Sequence, residues 1–168
     1  VDTSQPKAKD LHKFLRKYPG VVVKEINLCQ PAIQEQVQLL FSIWADKRQK
    51  EAEGTAVEAT AIERLLRFAP HLALVTVGVY IADRLVAFTI NEVVQDGYYI
   101  GHFGKSDPDY RGLGLYMEWA TAKLMAQAGC QYMNYEEDLG SLGLRAYKES
   151  LQPIGYLKKY TISANLKT

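Results

Sequence analysis

The sequence predicts an α/β (α+β) fold, a mixed and mostly antiparallel central sheet with helices on both faces. Three observations predict it. Residues 9 to 68 show helical spacing interrupted by one β-branched run. From residue 71 the period changes, and three β-rich runs follow one another across connections too short for anything but antiparallel hairpins. After residue 106, helix-like and strand-like segments alternate to the end.

Taken in order, "KDLHKFLRKYPG" puts Leu11, Phe14, Leu15 and Tyr18 at helical spacing and stops at Pro19-Gly20. "VVVKEINL" (21–28) reads as a strand. The next helix starts near Pro31 and carries Ile33, Val37, Leu40 and Trp44 on one face. "EAEGT" (51–55) reads as a polar break, after which a helix from Val57 to Phe68 turns Ile62, Leu65, Leu66 and Phe68 inward. "HLALVTVGVY", "RLVAFTINEVV" and "YYIGHFGKS" form the meander, with "IAD" and "QDG" as its turns. "LGLYMEWATAKLMAQAG" (113–129) is an amphipathic helix ending at Gly129, "CQYMNYEED" a strand, "SLGLRAYKESL" a short helix before Pro153, and "GYLKKYTISANL" a closing strand.

Composition limits the function classes. The 168 residues suit one domain with a substantial core, and 48% hydrophobic with 23% charged residues is ordinary for a globular protein. A net charge of +1 gives no global case for a polyanionic partner, and DNA is not expected. No apolar run reaches the ~18 residues of a membrane span, and the polar start is no signal peptide. Cys29 and Cys130 lie far apart and read as reduced thiols, which points to the cytoplasm.

The stretch "DYRGLGLY" follows a strand and opens a helix. Gly112 and Gly114 leave backbone N–H groups open to an anion at the helix N-terminus, and Arg111 adds a charge-assisted donor. A plain turn through Pro108, Asp109 and Gly112 is the other reading. With this element order, "YRGLG" resembles the GNAT acyltransferase fold, whose acyl-CoA pyrophosphate sits on a loop of pattern R/Q-x-x-G-x-G/A. Arg111 and Gly114 match that pattern, while Tyr116 stands where it has a small residue. The run "MNYEEDLGSLGLRAYKESLQPIGYLKKYTI" (133–162) is similar to the C-terminal signature of the phosphatidylglycerol lysyltransferase C-terminal-like family. Asn134, Asp138-Leu139-Gly140, Gly143-Leu144-Arg145, Lys148, Pro153 and Lys158-Lys159-Tyr160 carry the similarity.

The resemblance implies transfer of an acyl or aminoacyl group from acyl-CoA or charged tRNA to an amine or hydroxyl, the acceptor being a small molecule or a lipid. It implies a donor site at Arg111, Gly112, Leu113, Gly114 and Leu115 on the loop and at Asn134 and Arg145. On strand 98–105 a glycine permits a bulge and close ligand approach, so Phe103, Gly104 and Lys105 are expected to offer backbone N–H groups to a developing oxyanion; an ordinary strand edge is the other reading. The resemblance also implies two GNAT-like units in one longer chain. Residues 1–19 then form a linker helix and 20–168 a single GNAT-like domain, the second half of a tandem whose partner unit pairs with it. The alternative is a non-catalytic domain that binds a ligand or supplies half a site.

Several side chains are candidates for the chemistry. Lys148 and Arg145 share a helical face, and the resemblance makes Lys148 the lysine that meets a phosphate or the reacting carbonyl; a solvated helix face is the other reading. Tyr147 falls where many GNAT enzymes keep a tyrosine general acid; a packed aromatic is the other reading. Glu92 and His102 are the candidate general bases, although either parity of their strands can face the core. Residues 140–168 hold Arg145, Lys148, Lys158, Lys159 and Lys167 against Glu149, a local charge of +4 suited to a phosphate or a short stretch of RNA backbone. Glu136, Glu137 and Asp138 are consecutive and have no nearby histidine in sequence, so no metal is expected.

Overall fold

The computed structural model describes residues 6–47, 52–95 and 97–163. The chain divides into two compact units, 1–136 and 137–168. The first unit contains α1 (Pro6–Lys17), β1 (Val22–Glu25), α2 (Pro31–Asp46), α3 (Ala52–Phe68), β2 (Leu74–Ile81), β3 (Arg84–Gln95), β4 (Tyr98–Ser106), α4 (Leu113–Gln127) and β5 (Tyr132–Asn134).

The five strands lie in sequence order, β1-β2-β3-β4-β5. The first three pairings are antiparallel, as short connections require, and β5 joins β4 in parallel after the α4 crossover. The β2–β3 turn places both Ala82 and Asp83 at positive φ, the conformation a two-residue hairpin needs to match strand twist.

Helices cover both faces. On one, Val37, Leu40 and Phe41 of α2 and Ile62 and Leu66 of α3 pack against Tyr80, Phe88 and Ile90. On the other, Leu11 and Phe14 of α1 and Leu113, Tyr116, Met117 and Ala120 of α4 pack against Val79, Val86 and Ala87. Burying a large apolar side chain of this kind stabilises by about 1.5–3 kcal/mol. That force holds α1 on α4, where the Phe14 ring stacks on Tyr116 with centroids 4.8 Å apart.

Three bulges adjust the sheet, the last at Val94 of β3, since Val93 pairs with Tyr99 and Gln95 with Tyr98. Val86 is an extra residue in β3 opposite β2, and His102 is an extra residue in β4, since Ile90 pairs with Phe103 and Asn91 with Gly101. The His102 bulge changes which side chains face which helices. Tyr99 packs with Met125 of α4, whereas Phe103 packs with the α2–α3 cluster and Lys105 lies over Trp44 of α2.

In the second unit, α5 (Leu142–Glu149) starts at Ser141, whose hydroxyl accepts the Leu144 N–H at 3.4 Å. Two expectations need correction. Residues 52–55 of the expected polar break are helical, because α3 begins at Ala52 and runs through Gly54, and residue 51 lies outside the described residues. The closing strand does not form over 155–163; Ile154, Tyr156, Leu157, Tyr160 and Ile162 are exposed and have no ladder among the described residues. The remaining residues of that expected strand, 164–166, lie outside the described residues.

Candidate functional site

The β4 bulge lets two consecutive side chains, His102 and Phe103, face the same way. Both line a cavity of about 350 Å³ together with Leu65, Leu72, Ala73, Leu74, Glu92 and Glu136. His102 stands between the two carboxylates, with Nε2 3.0 Å from Glu92 Oε2 and Nδ1 3.0 Å from Glu136 Oε1. Glu92 arrives from β3 opposite Ile100. Glu136 is delivered by a turn: it sits at φ 53°, and its N–H donates to Asn134 Oδ1 at 2.8 Å.

A neutral imidazole has one N–H and one acceptor nitrogen, and a carboxylate can only accept. Both hydrogen bonds therefore form at once either with the ring doubly protonated or with one carboxyl supplying a proton. Such a cluster can pass a proton between a ligand and the ring. Among the described residues no group of three His, Cys, Asp or Glu is arranged to hold a metal ion.

β5 follows β4 only from Tyr98 to Ile100, and β4 runs on to Ser106 without it. The cluster lies at this divergence. Directly behind it, Asn91 is buried, and its amide donates to Val75 O at 3.1 Å and to Thr89 Oγ1 at 3.0 Å. Thr89 in turn meets Thr121 of α4 at 3.0 Å, which ties the site to that helix.

The Arg111–Leu115 turn opens α4. Gly112 is the N-cap at φ 88°, a conformation that costs other residues strain, and a Cβ there would lie 3.4 Å from that of Phe14. The Leu113 N–H reaches Tyr110 O at 3.0 Å, while the next first-turn N–H groups lack intrahelical acceptors by the geometry of a helix start. Arg111 is exposed. Tyr116 does not obstruct the turn, because its ring is buried against Phe14; burial also raises its phenol above the usual range. The turn is anchored by Asp107, whose carboxylate accepts from Arg84 at 2.9 Å, from Lys47 at 3.3 Å and from the Asp109 N–H at 3.1 Å.

The structure brings Glu92 and His102 together and adds Glu136, which the sequence presented only as part of an acidic run. The readable signal was Asn134-x-Glu136, a spacing at which an asparagine side chain caps the following turn. Asn134 thus supports Glu136. Lys105, expected to contribute its backbone, has a buried side chain 2.5 Å from Glu58 and 4.1 Å above the Trp44 ring. Gly104 approaches Met117 of α4.

In the second unit, Arg145 pairs with Asp138, and Lys148 donates to the Glu137 carbonyl at 2.7 Å. Both cations latch the turn before α5. The Arg145 guanidinium, with the Gly140 N–H, holds the Asp138 carboxyl below the usual aspartate range. Tyr147 is half-buried. A larger cleft of about 990 Å³ between α2 and α3 is lined mainly by Phe41, Ala45, Ala59 and Ile62, with Asp46 and Glu63. Among the described residues that line it there is no hydrogen-bonded pair of titratable groups.

Residues 4–163 match the family model described as phosphatidylglycerol lysyltransferase, C-terminal. Among curated proteins, none matches the chain. A conserved protein of unknown function from Bacteroides thetaiotaomicron superposes with a TM-score of 0.78 at 25% identity, over 92% of this chain and 51% of that one. The C-terminal DUF2156 domain of an Agrobacterium fabrum protein described as a lysylphosphatidylglycerol synthetase gives 0.61 at 14% identity, over 90% and 53%. An aminoglycoside acetyltransferase from an uncultured soil metagenomic sample, in complex with sisomicin, also gives 0.61, at 12% identity over 91% and 99%. This chain spans about half the length of the first two. The fold is GNAT-like, and with nearly its whole length inside the family model the chain belongs to the phosphatidylglycerol lysyltransferase C-terminal family.

Proposed function

We propose that this domain is an acyltransferase that moves an acyl group from acyl-CoA, or an aminoacyl group from charged tRNA, to an amine or hydroxyl on a small molecule or lipid. The observation that carries the reading is the Glu92–His102–Glu136 cluster at the point where β4 parts from β5. An incoming acceptor must shed a proton as it attacks a carbonyl, and a hydrogen-bonded carboxylate–imidazole cluster beside a cavity is suited to take it.

The Arg111–Leu115 turn fits a donor's phosphate. Gly114 leaves room, since a Cβ there would meet only Ser106 Oγ at 3.4 Å, Gly112 supplies the left-handed turn against Phe14, and Arg111 supplies a cation. Lys148 and Arg145 are the second set of cations for the donor or acceptor, and Tyr147 the candidate acid. The free thiols of Cys29 and Cys130 suit a cytoplasmic setting.

A thermal-shift series with CoA, acetyl-CoA and a charged-tRNA mimic tests the reading. A donor at a hundred times its Kd stabilises by about 2.7 kcal/mol. Stabilisation by one of them, with product formation lost in His102→Ala, is the expected result. No shift with any donor would overturn it. The half-length coverage of the Bacteroides and Agrobacterium proteins favours a second reading, a half-site that binds a donor without turnover and pairs with a second GNAT-like unit.

A further inference from the structure

A second cavity, of about 370 Å³, opens beside the one at His102, and Leu72 and Leu74 line both. Its apolar lining also includes Ile26, Leu28 and Ala69, and its side-chain donors include Thr76 and Asn27. Thr76 shares strand parity with Leu74 and Tyr80, which pack with the α2–α3 cluster, so its side chain turns to that face. The residue is 2% exposed, and its hydroxyl makes no hydrogen bond among the described residues. Its backbone carbonyl already accepts the Ile26 N–H at 2.8 Å. A valine would fill the same space without burying a polar group that needs a partner. Asn27 also has a donor to spare, because its Oδ1 accepts the Cys29 N–H at 2.8 Å and the amide nitrogen is left over. The described residues that line this cavity include Glu25 and no lysine or arginine, so an anion is disfavoured there.

Thr76 lies opposite Ile90, and Ile90 opposite Phe103, so two strand spacings, about 10 Å, separate Thr76 from the strand that carries His102. We infer that the two cavities form one groove, and that its ligand carries an uncharged carbonyl oxygen, of an amide or an ester, about 10 Å from the group that meets His102. Thr76 and Asn27 donate to that oxygen, and the apolar stem between the two ends lies along Leu72 and Leu74. Calling this ligand the acceptor rests on the acyl-transfer reading above; the groove does not. Thr76 is a specificity-determining residue, remote from the bond that forms in that reaction.

The test needs no donor. The protein, 13C-labelled at leucine and threonine methyls and 15N-labelled at histidine, is titrated at neutral pH with N-methylhexanamide, with methyl hexanoate and with hexanoate. The amide or the ester is expected to shift the Thr76, Leu72 and Leu74 methyl signals and the His102 ring signals together, and to bind at least about fivefold more tightly than the carboxylate. Whichever of the two binds more tightly identifies the carbonyl class. Thr76→Val is expected to weaken that binding about fivefold while leaving the melting temperature of the free domain unchanged or raised, since no internal hydrogen bond is lost. Equal binding of the carboxylate, no shift at Thr76, a shift at Thr76 with none at His102, unchanged affinity in Thr76→Val, or a lowered melting temperature in that variant would each overturn the inference. The three-ligand comparison uses the unaltered chain, so a variant that fails to fold does not block it. If the groove binds its probe while no donor stabilises the domain, the groove stands and the acyl-transfer reading has failed. Donor stabilisation with an empty groove leaves transfer in place and overturns the groove.

Discussion

Replacing Asp107 with alanine should loosen the turn that opens α4 and lower stability by an amount the structure lets one bound. The Asp107 side chain is 2% exposed, and it holds Arg84, Lys47 and the Asp109 N–H at once. Stranding a fully buried partner typically costs about 3–5 kcal/mol. Here the partners are not stranded, because Arg84 is 51% and Lys47 37% exposed, and water can reach both once the carboxylate has gone. What remains is the loss of hydrogen bonds to a charged acceptor, about 1.5–3 kcal/mol for the set. For a domain of this size that is a fall in Tm of roughly 3–12 °C. Differential scanning calorimetry measures it directly. Asp107→Asn keeps an acceptor for the Asp109 N–H and should lose about half as much. If Asp107→Ala lies within about 0.5 kcal/mol of the parent, the network is a surface ornament and the turn is held by its backbone alone. If Asn and Ala are equal, the bond to Asp109 contributes nothing.

Gly114→Val should remove any CoA-dependent thermal shift with the far-UV spectrum unchanged, whereas Gly112→Ala should cost about 1–2 kcal/mol in chemical denaturation, because its φ of 88° is left-handed. Asn134→Ala should cost about 1 kcal/mol and broaden or move the His102 ring signals by freeing Glu136, and Asn134→Asp, which keeps the acceptor, should restore them. Because Arg145 depresses the Asp138 carboxyl, that pair helps the fold at pH above the ordinary aspartate range and its help fades as acid protonates Asp138. In Arg145→Gln the 13C carboxyl titration of Asp138 should move upward, and an unmoved curve would assign the depression to the Gly140 N–H instead. Lys148→Ala should leave Tm nearly unchanged and reduce donor binding or turnover roughly tenfold or more; affinity within a factor of two would reduce it to a latch on the Glu137 carbonyl.

The faces of the long helices were legible in the sequence. Val37 and Leu40, Ile62 and Leu66, and the glycine that ends α4 all follow local rules that packing then reinforces. The start of α3 was misread at Gly54, since a single glycine costs a helix only about 1 kcal/mol and neighbouring residues carried it through. The closing segment has strand-forming residues, yet β propensity describes a fit to a neighbouring strand and supplies none. At the site, Glu92 and His102 could be named as candidates, but their meeting could not be read. Strand parity predicts a side chain's face only while the ladder stays in step; the glycine in "IGHFGK" permits a bulge, as expected, but does not say which residue is the extra one.

That extra residue makes position 102 resemble a spacer in a reading frame. Ahead of it, Tyr99 looks toward α4; beyond it, Phe103 and Lys105 look toward α2 and α3, and Gly104 leaves room for Met117. Exchanging the imidazole for another side chain alters one chemical group. Excising the residue would close the bulge and leave the ladder in step, since Gly101 opposite Asn91 and Phe103 opposite Ile90 already face opposite ways. A scan of single-residue deletions along β4 would therefore find position 102 among the most permissive of loss, with the imidazole's chemistry the only thing removed.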